Sequence, residues 1–268
     1  MADLKEIIIL MRGAGEMATG VAHRLWRAGF KLVMLELPAP LAVRRKVSFC
    51  EAVHQGSIIV EGATAVLTEG PDKVGPVWER GEIPVVVDPE MASLGTLRPG
   101  VFIEATLAKK NDYGLRPDIA PLVIALGPGF SVPENAHYVI ETNRGHNLGR
   151  VIESGPAEPN TGHPGNIEGL TWQRVLRAPG EGVFETSHQI GDLVQEGEEV
   201  ARVGEKPIRA GTKGMIRGLI RPGTPVTENL KVGDVDPRGK RALPAAISEK
   251  ARALGGSVLE CILRKYNT

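Results

Sequence analysis

Cysteine is nearly absent: Cys50 and Cys261 are the only two in 268 residues, far apart and in no CxxC arrangement. That argues against a disulfide framework, a zinc finger or a cysteine-ligated iron–sulfur cluster, and fits a reducing cytoplasm. Net charge is absent too. The 32 Lys and Arg balance the 32 Asp and Glu, so nothing global draws the chain to nucleic acid or an anionic membrane. No apolar run approaches the ~18 residues a membrane helix needs. The N-terminal run Ile7-Ile8-Ile9-Leu10-Met11 is too short for a signal-peptide core and leads straight into Arg12-Gly13. G-x-x-x-x-G-K-(S/T), H-E-x-x-H, G-x-S-x-G and EF-hand patterns are missing, which weighs against ATPase, zinc-protease and serine-hydrolase readings. A cytoplasmic protein with neither nucleic-acid nor membrane partner is expected. What the chain has in excess is glycine and proline, 33 and 20 residues, the composition of many tight turns.

Residues 7–11 have the β-branched character of a strand buried on both faces. The glycine phrase Gly13-Ala14-Gly15-Glu16-Met17-Ala18 follows, matching G-x-G-x-x-(G/A), and Met17, Val21, Leu25 and Ala28 then recur at helical spacing. A second strand from Lys31 ends near Glu36, 21 residues beyond Gly15, where a dinucleotide fold places the acid that binds a ribose hydroxyl. Glycine lets the backbone turn tightly and approach phosphate, free amides at a helix N-terminus donate to it, and Ala18 permits close helix–strand packing. The pattern predicts a nucleotide site; a tight strand–helix turn without ligand stays open beside it. Further strands are expected at 63–67, 85–87, 101–105, 123–126 and 138–141. The turn Gly127-Pro128-Gly129 directly after one of them is a second candidate anion cradle.

Polar chemistry concentrates in Glu141-Thr142-Asn143-Arg144-Gly145-His146 and Asn160-Thr161-Gly162-His163-Pro164-Gly165. Arg144 offers a bidentate fork for phosphate or carboxylate, and His146 and His163 are candidate acid–base groups. A hydrogen-bonded turn network is the alternative. No metal-ligand set is evident. Arg44-Arg45 reads as a solvated basic face, and His23, His54, His137 and His188 as surface or core residues.

From Ala178 short Val/Ile/Phe segments alternate with Gly, Glu and Pro, and an ungapped offset of 32 residues aligns Ala178 with Ala210, Gly182 with Gly214, Gly191 with Gly223, and Val194 with Val226. The same turns and strands are built twice. The phrases 178–184 and 191–197 resemble the half-motifs of biotinyl and lipoyl domains, the barrel-sandwich hybrid fold. Lys206 stands at the junction where such carriers attach their group, but without the flanking residues of a carrier, so covalent biotin or lipoate is not expected. After the repeat, a helix is expected through Ile247, Ala251 and Leu254 to a stop at Gly255-Gly256, followed by an apolar segment Val258–Leu263. The expected organisation is α/β: a Rossmann-like domain over 1–170, a small all-β barrel-sandwich-hybrid domain over 171–240, and a tail over 241–268 that packs back on the first domain.

Together, the phrases at 12–22, 126–130, 141–146, 160–165 and Gly233-Asp234-Val235-Asp236-Pro237-Arg238 resemble the YqeB family. The resemblance implies a Rossmann-like domain related to that of XdhC-type maturation factors. It also implies an accessory role for a selenium-dependent molybdenum hydroxylase: binding or inserting a molybdopterin-type cofactor, with the hydroxylase or its cofactor-biosynthesis proteins as partners. The glycine phrase maps to Gly13, Gly15 and Ala18 and the Arg-Gly-His phrase to Arg144, Gly145 and His146; no catalytic residue is carried over. The expected binding set is Gly13, Gly15, Ala18, Glu36, Gly127, Gly129 and Arg144. Two other readings stay open: a NAD(P)-dependent oxidoreductase using Glu36 with His146 or His163, and a docking scaffold without ligand. Homo-oligomerisation stays open in every reading.

Overall fold

The computed structural model describes residues 4–267. The chain divides into two compact units. One comprises the residues up to Pro40, Ser48–Asn160 and those from Ile247 on; the other comprises Leu41–Val47 and Thr161–Ala246.

In the first unit nine strands form one sheet: β1 (Ile8–Arg12), β2 (Lys31–Glu36), β3 (Ser57–Val60), β4 (Ala63–Thr68), β5 (Ile83–Val87), β6 (Val101–Glu104), β7 (Leu122–Leu126), β9 (Tyr138–Ile140) and β10 (Val151–Ile152). β8 (Ser131–Val132) and β11 (Gly155–Pro156) pair separately. The order is β10-β9-β7-β6-β1-β2-β5-β4-β3. The seven central strands run parallel, and β3 and β10 close the two edges antiparallel. Central strands are apolar on both faces because both are covered. Leu10, Val33, Leu35, Phe102 and Val123 share one core, while the alternating Ile9, Met11, Leu32 and Met34 are equally buried.

The expected Rossmann-like parallel sheet is corrected by this topology. The sheet is mixed, and the crossovers that a doubly wound fold makes from helices are mostly short turns. Only α1 (Glu16–Arg27) and α5 (Glu249–Tyr266) exceed two turns; α2 (Ala52–Gln55), α3 (Val74–Glu79) and α4 (Ser93–Leu97) are fragments. Between β6 and β7 there is only a 3-10 turn at Pro117–Ile119, since Gly114, Pro117 and Pro121 leave no stretch able to sustain a helix.

The stop expected at Gly255-Gly256 is also corrected: α5 runs through both glycines. The reason is tertiary. A Cβ on Gly20 would lie 2.5 Å from Ala251 Cβ, and one on Gly255 would lie 3.0 Å from the Gly20 carbonyl oxygen. The two helices therefore cross almost backbone to backbone, and burial there outweighs glycine's poor helix propensity.

The second unit holds two four-stranded antiparallel sheets. Its strands are β12 (Val175–Arg177), β13 (Gly182–Glu185), β14 (Leu193–Val194), β15 (Glu199–Val203), β16 (Lys206–Arg209), β17 (Gly214–Leu219), β18 (Pro225–Val226) and β19 (Lys231–Asp236), in the orders β12-β19-β17-β14 and β16-β15-β13-β18. Shifting the first four strands by 32 residues lands on the last four. Exchanging the copies turns one sheet into the other, so neither copy owns a sheet. Leu176, Phe184, Val200, Ile208, Ile216 and Val232 fill the shared core.

The expected lipoyl-like domain is corrected as well. Lys206 is not at the tip of a projecting hairpin: β15 and β16 are joined by Gly204-Glu205 alone, and Lys206 already pairs with Val203 in the ladder. Arg44 and Arg45 are not a solvated face either. Arg44 is buried and donates to the carbonyls of Pro244 and Ala246 at 3.3 and 3.2 Å. Arg45 Nε donates to the Leu219 carbonyl at 2.7 Å.

Candidate functional site

All seven parallel strands of the first unit end along one edge of the sheet. The connections leave β1 in both directions: β2, β5 and β4 lie on one side and β6, β7 and β9 on the other. That reversal puts a topological switch point between β1 and β6, and the crevice outside the carboxyl ends of the strands at such a point is where open α/β sheets bind ligands.

The glycine phrase occupies this edge. Gly13 has φ 94°, and a Cβ there would lie 3.1 Å from Thr106 Cγ2 and 3.2 Å from the Thr106 amide nitrogen, so only glycine lets the turn pass the end of β6. Gly15 is different: it caps α1 with φ −70°, and a Cβ on it would meet nothing within 4 Å. Its surroundings are open, beside the first-turn amides that have no partner within a helix. Ala14 and Ala18 are fully buried, and Thr19 ties the turn by donating to the Ala14 carbonyl at 3.2 Å and accepting from the Phe49 amide at 2.8 Å.

Glu36 reaches back into the same turn. Its carboxylate accepts from the Ala14 amide and from the Leu37 amide, each at 2.8 Å. Burial raises its pKa, against the two amides and nearby Arg12, which lower it. A carboxylate has about four acceptor positions, so these two bonds leave capacity for a ligand hydroxyl.

Across the crevice, Glu104 at the end of β6 is fully buried. It accepts from the Thr106 amide at 2.9 Å, from the Thr106 and Tyr113 hydroxyls, and from Arg12 at 3.3 Å. The Arg12 guanidinium lies 3.8 Å from the centre of the Tyr113 ring, a cation–π contact. Burial, and then the charge of Glu104, push the Tyr113 pKa far up, which keeps its hydroxyl a donor.

Lys250, in the first turn of α5, links the ends of β9 and α1. Burial first, and then Arg144, depress its pKa, while Glu16, Glu141 and Glu249 oppose the shift. Arg144 itself is ion-paired with Glu249. Glu141 is buried, accepting from the Asn143 and Glu158 amides at 2.6 and 2.7 Å, and Glu158 in turn accepts from Asn143 and Asn147. The polar loop thus satisfies itself to a large extent.

Gly13, Gly15, Ala18 and Glu36 come together at the turn. Gly127 and Gly129 follow β7, and chain contacts explain both glycines: a Cβ would lie 2.6 Å from Thr142 Oγ1 at the first and 2.4 Å from the Lys109 carbonyl carbon at the second. His146 is exposed in the first unit and His163 in the second, where His163 packs edge-on against Trp172 with ring centres 5.6 Å apart. Neither faces a nucleophile among the described residues. Arg12, Tyr113 and Lys250 were not singled out from sequence: Tyr113 sits in a loop and Lys250 arrives from the far end of the chain, so neither carries a local motif.

Both cysteines are buried, and burial pushes the Cys261 thiol up to about 12. Among the described residues no cluster of three or more His, Cys, Asp or Glu could hold a metal ion, and no helix is long and apolar enough to cross a membrane.

The fold and site define an α/β protein with a mixed parallel-centred sheet, a glycine turn at its switch point, and a second unit of duplicated antiparallel strands. No protein-family model matches the chain. It is 49% identical over 256 residues, 96% of its length, to the uncharacterized protein YqeB of Escherichia coli K12. The chain spans about half, 47%, of that relative's length. The likeness supports the YqeB resemblance and carries no role.

Among solved structures it is matched with the ectoine utilization protein EutE (DoeB) of Ruegeria pomeroyi at 13% identity and TM-score 0.25, with 85% of each chain covered. An aspartoacylase family protein of Mesorhizobium loti matches at 12% and 0.27, covering 85% of this chain and 84% of that one. At such scores these likenesses carry no argument. Nothing in the comparisons supports a molybdenum or selenium role.

Proposed function

We propose that the first unit binds a phosphate-bearing, nucleotide-like ligand at the β1–β6 crevice, and that the protein is an accessory protein that holds such a ligand for a partner enzyme. Supporting this is the open space at Gly15 beside the first-turn amides of α1, at the switch point of the sheet, with the Arg12 cation and the Glu36 carboxylate beside it and Lys250 within electrostatic reach of Glu16 in that first turn. Phosphate fits the donors, and a ribose or pterin-chain hydroxyl fits the remaining acceptor positions of Glu36. A molybdopterin-type cofactor is the ligand the family resemblance implies, and its phosphate end fits these residues. They hold and orient; no nucleophile–base pair accompanies them.

The test is a thermal-shift panel of AMP, CMP, NAD(H) and molybdopterin cofactor against the wild type and Gly15→Val. The Cβ of valine meets nothing within 4 Å at Gly15, and its two methyls extend into the open space. A ligand at ~100 times its Kd stabilises by about 2.7 kcal/mol, or about 5–11 °C at ~2–4 °C per kcal/mol. The wild type is expected to respond and the variant not to. Equal responses, or none by either, contradict the site. Response to NAD(H) alone, lost in Glu36→Gln, supports the oxidoreductase reading that Glu36 favours.

A further inference from the structure

In the first unit, α1 and α5 border a hollow of about 270 Å³ lined by His23, Arg24, Arg27, Glu61 and Arg252, with Gly20 among its walls. Three guanidiniums and an imidazole meet a single carboxylate. Arg24 and Arg27, both exposed, stand in the last turn of α1, where a helix dipole favours cations. The dipole does not account for Arg252, which lies in the second turn of α5, near the helix end that repels positive charge.

Arg252 is held there by Glu61, whose two carboxylate oxygens accept from it at 2.7 and 2.8 Å. Glu61 also accepts from the Ile247 amide at 2.8 Å, and its own carbonyl lies 3.3 Å from His23 Nε2. It makes these bonds from the β3–β4 turn at φ 46°, a left-handed conformation unfavourable for a non-glycine residue. The sole acid of the hollow is thus committed to orienting one of its cations, while the Arg24 and Arg27 guanidiniums have no acid partner among the described residues.

We propose that this hollow is a second anion site, separate from the crevice, that binds a small multiply charged phosphate: a pyrophosphate or a phosphomonoester headgroup. Its volume is at the small end of ligand pockets, enough for such a group and too little for a dinucleotide. Arg24, Arg27 and Arg252 supply forks that match phosphate oxygens, and Glu61 is a positioning residue that sets Arg252.

Isothermal titration of the full chain with pyrophosphate, and with glycerol 3-phosphate, which carries no base or ribose, as the phosphomonoester arm, tests this, with sulfate as control. Four proteins are compared: the wild type, Gly15→Val, the double variant Arg24→Gln/Arg27→Gln, whose exposed changes leave the thermal midpoint in place, and Arg24→Lys/Arg27→Lys. Pyrophosphate or glycerol 3-phosphate is expected to saturate one site in the wild type and to bind Gly15→Val with unchanged Kd. The double variant should bind at least tenfold more weakly, and an Arg24→Lys/Arg27→Lys variant should recover part of the affinity. Absence of saturable binding, an unchanged Kd in the double variant, or loss of this binding in Gly15→Val overturns the proposal.

Discussion

Glu104, Glu36 and Glu61 are three acids put to three uses by their neighbours. Glu104 is sealed by four donors, so removing one has a cost: Tyr113→Phe is expected to destabilise by about 1–3 kcal/mol, the desolvation penalty of a buried acceptor that loses a partner. The measurement is urea unfolding, and no change in the midpoint would mean that the hydroxyl is not needed. Glu36 keeps free acceptor positions, which makes it a ligand residue as well as a brace for the turn. Glu61 has a pKa below the ordinary carboxylate value: burial raises it, but the Ile247 amide and Arg252 outweigh that. Its folded pKa is depressed, so its contribution is present above the unfolded value of ~4.3 and is lost as pH falls through the folded pKa. The difference in thermal midpoint between wild type and Glu61→Gln should therefore shrink as pH drops from 7 to below 4. A difference constant over that range contradicts the assignment. The glycine turn and Glu36 are legible in the sequence because both follow strands at fixed spacing. Arg12, Tyr113 and Lys250 are not, because a loop and a helix more than a hundred residues away bring their partners.

At the scale of elements, β-branched runs announce the central strands, and five of the segments expected between 63 and 141 coincide with β4, β5, β6, β7 and β9. The helices are less legible. Gly255-Gly256 reads locally as a stop, and only the close passage of α1 explains why α5 continues. Gly20→Ala should separate the helices and cost about 1–3 kcal/mol, as overpacking does. Gly256→Ala, with nothing within 4 Å of the added carbon, should stabilise by up to about 1 kcal/mol through helix propensity. Thermal melts check the pair, and equal effects would deny the backbone-close crossing. The repeat shows a related symmetry: Gly182 and Gly214 occupy corresponding starts of β13 and β17 at φ 151° and 158°. A Cβ on Gly214 would lie 2.3 Å from the Asp236 carbonyl oxygen, so both strand and register there depend on glycine.

At the scale of the whole molecule, the two units are not consecutive stretches of chain. Leu41–Val47 belongs to the second unit, where the Val43 carbonyl accepts from the Leu219 amide at 2.8 Å and Arg44 serves two distant carbonyls. No composition shift marks this segment, since the contacts that place it lie some 200 residues away. Arg44→Ala is expected to weaken the second unit by about 1–3 kcal/mol, so that limited proteolysis in urea cuts within 161–246 at lower urea than in the wild type. Residue-resolved amide hydrogen exchange reads ligand binding at the crevice of the first unit. With saturating AMP or molybdopterin cofactor, the amides of Gly15 to Ala18 should gain protection while those of β17 and β19 do not change. A ligand that binds and leaves Gly15 to Ala18 exchanging as before would contradict it.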